Sequence, residues 1–292
     1  MKALPGGISE LRMNGIKNFT NFIKFEHTLF SLPLIFAGSF LAWGGVPDLY
    51  LIVLIILAGT GARTAALALN RIIDRKIDSE NPRTRERELP SGKVSLMSAL
   101  GITAAGLIVY FVSAYFICPL VFYLSPIPIA VFLIYPLLKR FTPLCHFGVG
   151  LGLALAPLGG WVAVTCSLLG ILPGVVLSLF TFFWVSGFDI IYATLDEEFD
   201  RKTGVRSMVS VYGKDTGLYI AGLLHYAAFF CVAFLYFFMF KTVVSGALLA
   251  VIGILLYFEH KKSDNVDLAF FKVNIAVGIA VFLFILAGIY LP

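Results

Sequence analysis

The sequence predicts an all-α membrane protein, a bundle of nine transmembrane helices around a central cavity that opens to cytoplasmic loops. Three observations lead there. The 292 residues are 59% hydrophobic and only 13% charged, with a mean hydropathy of +0.93, which is too apolar for a soluble domain of this length. The apolar segments recur at about 20 residues each, the length that crosses a bilayer, and are interrupted mainly by Gly, Pro, Ser and Thr, which membrane helices tolerate. Positive charge also sorts by side: of 22 Lys and Arg, all but Arg63 inside a span and Lys241 on the opposite side fall on one set of connections or at span ends facing it. Such an excess marks the cytoplasmic face.

Taken in order, residues 1–24 carry charge at both ends without the apolar core of a cleavable signal peptide. Ile8, Leu11, Ile16, Phe19, Phe22 and Ile23 among polar neighbours predict a cytoplasmic helix lying on the membrane surface. Spans are predicted at 25–44, 49–71, 94–117, 119–138, 144–164, 170–193, 216–239, 242–259 and 269–291, so that 25–291 forms the bundle and 1–292 a single membrane domain. His27 at the start of the first span reads as an interfacial polar residue. Gly148, Gly152, Ala156 and Gly160 repeat at i+4 in the fifth span, the small-residue pattern of close helix packing. Asn274 in the ninth either bonds across helices or reaches the cavity.

The pI near 9.0 is explained by topology, so nucleic acid is not expected as a partner and the lipid bilayer is. Cys118, Cys145, Cys166 and Cys231 are scattered with no Cys-x-x-Cys pair, so neither a zinc site nor a disulfide framework is expected.

Chemistry concentrates at the ends of the second and sixth spans, in the pairs Asp74/Asp78 and Asp196/Asp200. Carboxylates four apart lie roughly 6 Å apart along one helix face and can offer oxygens to a hard divalent cation held between protein and a phosphate-bearing substrate. Both spans run toward the cytoplasm, so both pairs end at one membrane depth. Four converging carboxylates would repel unless neutralised, and Mg²⁺ suits them because it takes one or two carboxylates and fills its other positions with water and phosphate oxygens. Arg63, Asn70 and Asp74 share their spacing with Asp189, Asp196 and Asp200, and superimposing the two pairs places Asn70 opposite Tyr192, as an old tandem duplication would. Ionisable groups inside spans, here Arg63 and Asp189, are costly and mark function. The connections 71–93 and 194–215 are basic; they are expected to bind phosphate oxygens and cover the site, although positive-inside charge explains many of these residues equally well. Intramembrane acids also mark ion pathways, so a secondary or divalent-cation transporter is the rival class, opposed by the placement of both pairs at one face and not at the midplane.

At these residues the chain resembles the UbiA superfamily of intramembrane aromatic prenyltransferases. The likeness runs over nearly the whole chain: Asn70-x-x-x-Asp74-x-x-x-Asp78, the loop Arg87-Glu88-Leu89-Pro90-Ser91-Gly92, Tyr135-Pro136-Leu137-Leu138-Lys139-Arg140, and Tyr192-Ala193-x-x-Asp196-x-x-x-Asp200. The last motif is similar to the 4-hydroxybenzoate polyprenyltransferase branch. Residues 62–74 also resemble a subgroup acting on 1,4-dihydroxy-6-naphthoate in menaquinone formation, and Arg71 stands where many relatives have Asp. The resemblance implies that Mg²⁺ held by Asp74, Asp78, Asp196 and Asp200, with Asn70 assisting, binds the diphosphate of a polyprenyl donor, geranyl diphosphate or longer. It further implies that the allylic C–O bond ionises and that an aromatic hydroxy acid such as 4-hydroxybenzoate attacks the cation ortho to its hydroxyl, in ubiquinone or menaquinone biosynthesis at the cell membrane. A glycerol-phosphate lipid is the other acceptor to weigh. Arg63 is expected to pair with the acceptor carboxylate or orient the acids, with a structural pairing to Asp189 as the alternative. Lys139, and less so Arg140, is the candidate for the diphosphate, and Asp189 and Tyr192 for the acceptor hydroxyl or the ring proton.

Overall fold

Without water in a hydrocarbon layer, a run of Leu, Ile, Val, Ala and Phe satisfies its backbone N–H and C=O groups by becoming helical. The computed structural model describes residues 21–22, 28–261 and 272–291. His27 and all but two residues of the expected surface helix 1–24 lie outside the described residues. The helices are α1 (Thr28–Trp43), α2 (Leu49–Ile73), α3 (Arg75–Glu80), α4 (Leu96–Ile117), α5 (Pro119–Leu124), α6 (Pro126–Leu138), α7 (Cys145–Thr165), α8 (Leu172–Ala193), α9 (Glu197–Thr203), α10 (Met208–Tyr212), α11 (Lys214–Leu235), α12 (Val243–Lys261) and α13 (Asn274–Tyr290).

Among the described residues, seven helical segments are long and apolar enough to cross a membrane, while Ser31–Trp43 and Asn274–Tyr290 are apolar but shorter. Two expected spans are not uniform. The fourth is jointed at Ser125, where Pro126 supplies no backbone N–H to continue the ladder, so that α5 and α6 meet there. The sixth does not stop at Ala193 but passes through a 3₁₀ turn, Thr194–Asp196, into α9.

Helix α8 lies inside the bundle against α7 and α11, α1 packs on α7, and α2 packs on α4. Leu177, Phe180, Trp184 and Val185 of α8 are buried in one apolar core with Leu34 and Ala37 of α1 and Val277, Val281 and Phe284 of α13. The small-residue pattern works as expected at its end: a Cβ on Gly160 would stand 2.0 Å from the Ile35 carbonyl oxygen, so only glycine admits α1 that closely. Asn274 bonds across helices, accepting from Trp184 Nε1 at 3.0 Å, and the same N–H lies 3.3 Å from Glu259 of α12.

One expectation is corrected. Cys118, between α4 and α5, and Cys166, after α7, form a disulfide with Cα atoms 6.2 Å apart, at the end of the bundle away from the acidic motifs. Helices α4 and α7 run in the same direction and finish at the same end, which brings the two turns together in a way that sequence spacing cannot reveal. Cys145 and Cys231 are free.

Candidate active site

The two acidic motifs share a local shape that the sequence reading missed. Neither pair lies on a continuous helix: Asp74 (φ −90°, ψ 3°) separates α2 from α3, and Asp196 (φ −109°, ψ 4°) separates α8 from α9. Both sit near the bridge region, where a helix turns without reversing. The second aspartate of each pair is then carried by a short helix after the bend, and Asp74, Asp78 and Asp200 are all buried.

Eight of the ten expected site residues, Asn70, Asp74, Asp78, Lys139, Asp189, Tyr192, Asp196 and Asp200, border one polar cavity of about 870 Å³ counted with its open mouth. Basic side chains face the acids. Lys139 Nζ is 2.6 Å from Asp74 Oδ2, to which Asn70 Nδ2 donates at 3.3 Å. Arg87 donates to both oxygens of Asp78 at 3.1 Å. Asp196 accepts from Asn81 Nδ2 and from Arg83 Nε, each at 2.8 Å, and makes an ion pair with Arg83 Nη2. Arg83 Nη1 also donates to the Tyr192 hydroxyl at 2.7 Å, with its guanidinium 4.8 Å from that ring's centroid. Burial lifts the Asp74 carboxyl above its ordinary pKa against the pull of Lys139. Burial acts to lower that of Arg83, and the bonds to Asp196 and Tyr192 overcome it and hold the guanidinium above its usual value.

Arg140 stands at the rim, donating to the Ile73 carbonyl at 2.7 Å and lying 3.9 Å from Asp74 Oδ1. Arg63 lies one chamber deeper. It lines a second cavity, also about 870 Å³ with its mouth, whose other walls include Ile35, Ala66, Tyr110, Phe132, Leu153 and Ala156. Its Nε is buried without a hydrogen-bond partner. The alternative pairing of Arg63 with Asp189 is not formed; Asp189 Oδ2 instead meets His146 Nδ1 at 2.7 Å. Arg71, the departure from the family pattern, anchors the loop after the first motif through Glu88 at 2.7 Å.

Sequence reasoning overlooked His146, gave Tyr135 and Arg87 no role beyond their places in the family motifs, and treated Asn81 and Arg83 only as part of a basic loop. A histidine at the start of an apolar helix was the available signal for His146. The partners of the loop residues lie more than 100 positions away for Asn81 and Arg83, beyond any local pattern.

The donor set suits Mg²⁺: carboxylate and amide oxygens converge on one cavity, and Asp74 Oδ1 is buried with no hydrogen-bond partner. Among the described residues no three acidic, His or Cys groups are gathered as a closed metal cage. An ion that takes one or two carboxylates and completes its octahedron with water and phosphate requires none.

The model of the UbiA prenyltransferase family matches residues 31–277. Over 242 residues the chain is 31% identical to the 4-hydroxybenzoate octaprenyltransferase of Vibrio atlanticus (strain LGP32), covering 81% of this chain and 84% of that relative. Among solved structures, the apo UbiA homolog from Aeropyrum pernix K1 superimposes with a TM-score of 0.83 at 32% identity, over 90% of this chain and 98% of that one. A UbiA homolog from Archaeoglobus fulgidus bound to GPP and Mg²⁺ shares the fold, with a TM-score of 0.73 at 19% identity over 93% and 98% of the two chains.

Proposed function

The chain belongs to the UbiA prenyltransferase family, and from that premise we propose that it is a Mg²⁺-dependent, multi-pass membrane enzyme that transfers a polyprenyl group from an allylic diphosphate to the ring of 4-hydroxybenzoate. The observation that carries this reading is the stacking of the two cavities. At the end of α2, Asn70 and the following Asp74 border the polar cavity while Arg63 and Ala66 border the apolar one; at the end of α6 the same order runs from Lys139, just past the helix, and Tyr135 to Phe132 and Pro128, and on α7 from His146 and Val149 to Leu153 and Ala156. Three helices thus carry the polar chamber at one end and the apolar one further along. A molecule with a diphosphate head and an isoprenoid tail has that division of chemistry along its length.

Mg²⁺ bound by Asp74, Asp78, Asp196 and Asp200, with Asn70 assisting, would draw off the negative charge that builds on the leaving diphosphate. Lys139, Arg83 and Arg87 bring fixed positive charge to the same chamber and favour heterolysis of the C–O bond. The apolar chamber keeps water from the allylic cation, and the ring faces of Tyr110 and Phe132 stabilise it. Arg63, the cation at the boundary of that chamber, pairs with the carboxylate of the acceptor. Asp189 and Tyr192 lie near the acceptor's hydroxyl and ring proton.

The site is assigned to the cytoplasmic face, because basic connections flank it and the disulfide stands at the other end, where an oxidising compartment preserves it. The two shorter apolar helices are read as crossings too, which makes nine.

The test offers purified protein Mg²⁺, labelled geranyl diphosphate and, in turn, 4-hydroxybenzoate, 1,4-dihydroxy-6-naphthoate and a glycerol-phosphate ether lipid. Prenylated 4-hydroxybenzoate is the expected product. Consumption of another acceptor alone would reassign the substrate, and metal uptake into proteoliposomes without any donor would return the transporter reading.

A further inference from the structure

His146 sits in the first turn of α7, almost fully buried beside the polar cavity, and each of its ring nitrogens has a different partner. Nδ1 lies 2.7 Å from Asp189 Oδ2, and Nε2 accepts the backbone N–H of Met208 at 3.2 Å. A backbone amide can only donate, so Nε2 must carry a lone pair. The proton therefore sits on Nδ1 and points at Asp189, and the ring is the neutral tautomer, since an imidazolium would present a second N–H to that amide. Met208 opens α10, whose start is held by reciprocal Ser207–Ser210 capping bonds. Arg206, two residues before Met208, is docked as well: its N–H donates to the Lys139 carbonyl at 2.7 Å, and Cys145 Sγ donates to its carbonyl at 3.4 Å.

We propose that His146 is a positioning residue for proton removal: the docked loop after the second acidic motif fixes its tautomer, and its Nδ1–H holds Asp189 as the base that restores aromaticity. This rests on the aromatic-substitution reading above. After the ring carbon bonds to the prenyl cation, that carbon's C–H bond breaks, its electron pair returns to the ring, and the proton passes to the Asp189 carboxylate. The resulting acid later loses the proton to solvent through the cavity mouth. Asp74, Asp78 and Asp196 are each ion-paired with Lys139, Arg87 or Arg83, whereas Asp189 meets His146, which the tautomer assigned above leaves neutral. Asp189 also keeps part of its side chain open to the cavity. Docking of the loop thereby sets the tautomer that orients the base.

The experiment compares wild type, His146→Phe and His146→Gln, as full chains with Mg²⁺ and geranyl diphosphate, using 4-hydroxybenzoate with hydrogen or deuterium at both carbons ortho to the hydroxyl. His146→Phe should lower kcat by ~10²-fold, the scale of a misplaced general base, and should raise the deuterium isotope effect above that of wild type. His146→Gln supplies one N–H and one C=O in place of the two ring nitrogens and should recover both readouts. A lowered kcat with an unchanged isotope effect, or full activity of His146→Phe, overturns the proposal. Should His146→Phe not fold, ¹⁵N NMR of histidine-labelled wild type, assigned by difference from His146→Gln, must show the neutral Nδ1–H form; the imidazolium or the Nε2–H form overturns it equally. Absence of prenylated 4-hydroxybenzoate from the wild-type reaction would instead count against the acceptor assignment, and the NMR arm would still decide the tautomer.

Discussion

The two acidic motifs have nearly the same bend, yet the loops that follow them do opposite things. After Asp74 and Asp78 the chain crosses the cavity, where Asn81 and Arg83 take hold of Asp196 in the other motif. After Asp196 and Asp200 it turns outward instead, and Arg206 binds the backbone of Lys139 and Phe141 between α6 and α7. The first loop is thus a clasp between motifs and the second a brace on the wall. Two loops that are both basic act differently because the partners within reach of each differ.

The comparison can be broken most forcefully at the carboxylates. Asp78→Ala and Asp196→Ala should each lower kcat by ~10²–10³-fold or more, the cost of losing a main source of charge stabilisation. If both motifs serve one centre, the double variant should fall little further, because groups acting as a unit are not additive. Two independent, multiplying losses in steady-state kinetics would separate the motifs.

Anchoring of the clasp comes next. Glu88→Gln leaves the buried Arg71 guanidinium without its counter-ion and should cost about 3 kcal/mol of stability, read as a lower thermal midpoint in detergent. The clasp itself is tested by Arg83→Ala, expected to lower kcat/KM by ~10–10²-fold through loss of charge-assisted bonds. Arg206→Ala, in the brace, should change it several-fold less, and equal effects would erase the distinction. The smallest effect is expected where the second loop region faces water: Lys202→Ala removes an exposed i,i+4 bridge to Glu198 and should leave the thermal midpoint unmoved.

Most of the bundle was legible because hydrophobic length and charge asymmetry are local properties of the chain. Span limits agree with the described helices to within a few residues for α2, α4, α7 and α8. The joint at Ser125 and the bends at Asp74 and Asp196 were not legible, since an i,i+4 pair reads the same whether or not the helix turns between its members. Of the site, the acids, Asn70, Tyr192 and Lys139 were named in advance, and all of these border one cavity. His146 was passed over because its meaning depends on Asp189 of α8 and Met208 of α10, neither of which is near it in the chain.

By itself the sequence determined that the chain is a helical membrane bundle and that its carboxylates gather at one face, because burial in lipid and side-chain spacing act within single segments. Only the tertiary structure decided which cation meets which acid, that Cys118 meets Cys166, that Arg63 stands one chamber below the acids, and that His146 meets Asp189. Those are pairings between helices, and their energies depend on distances that appear only once the helices are packed.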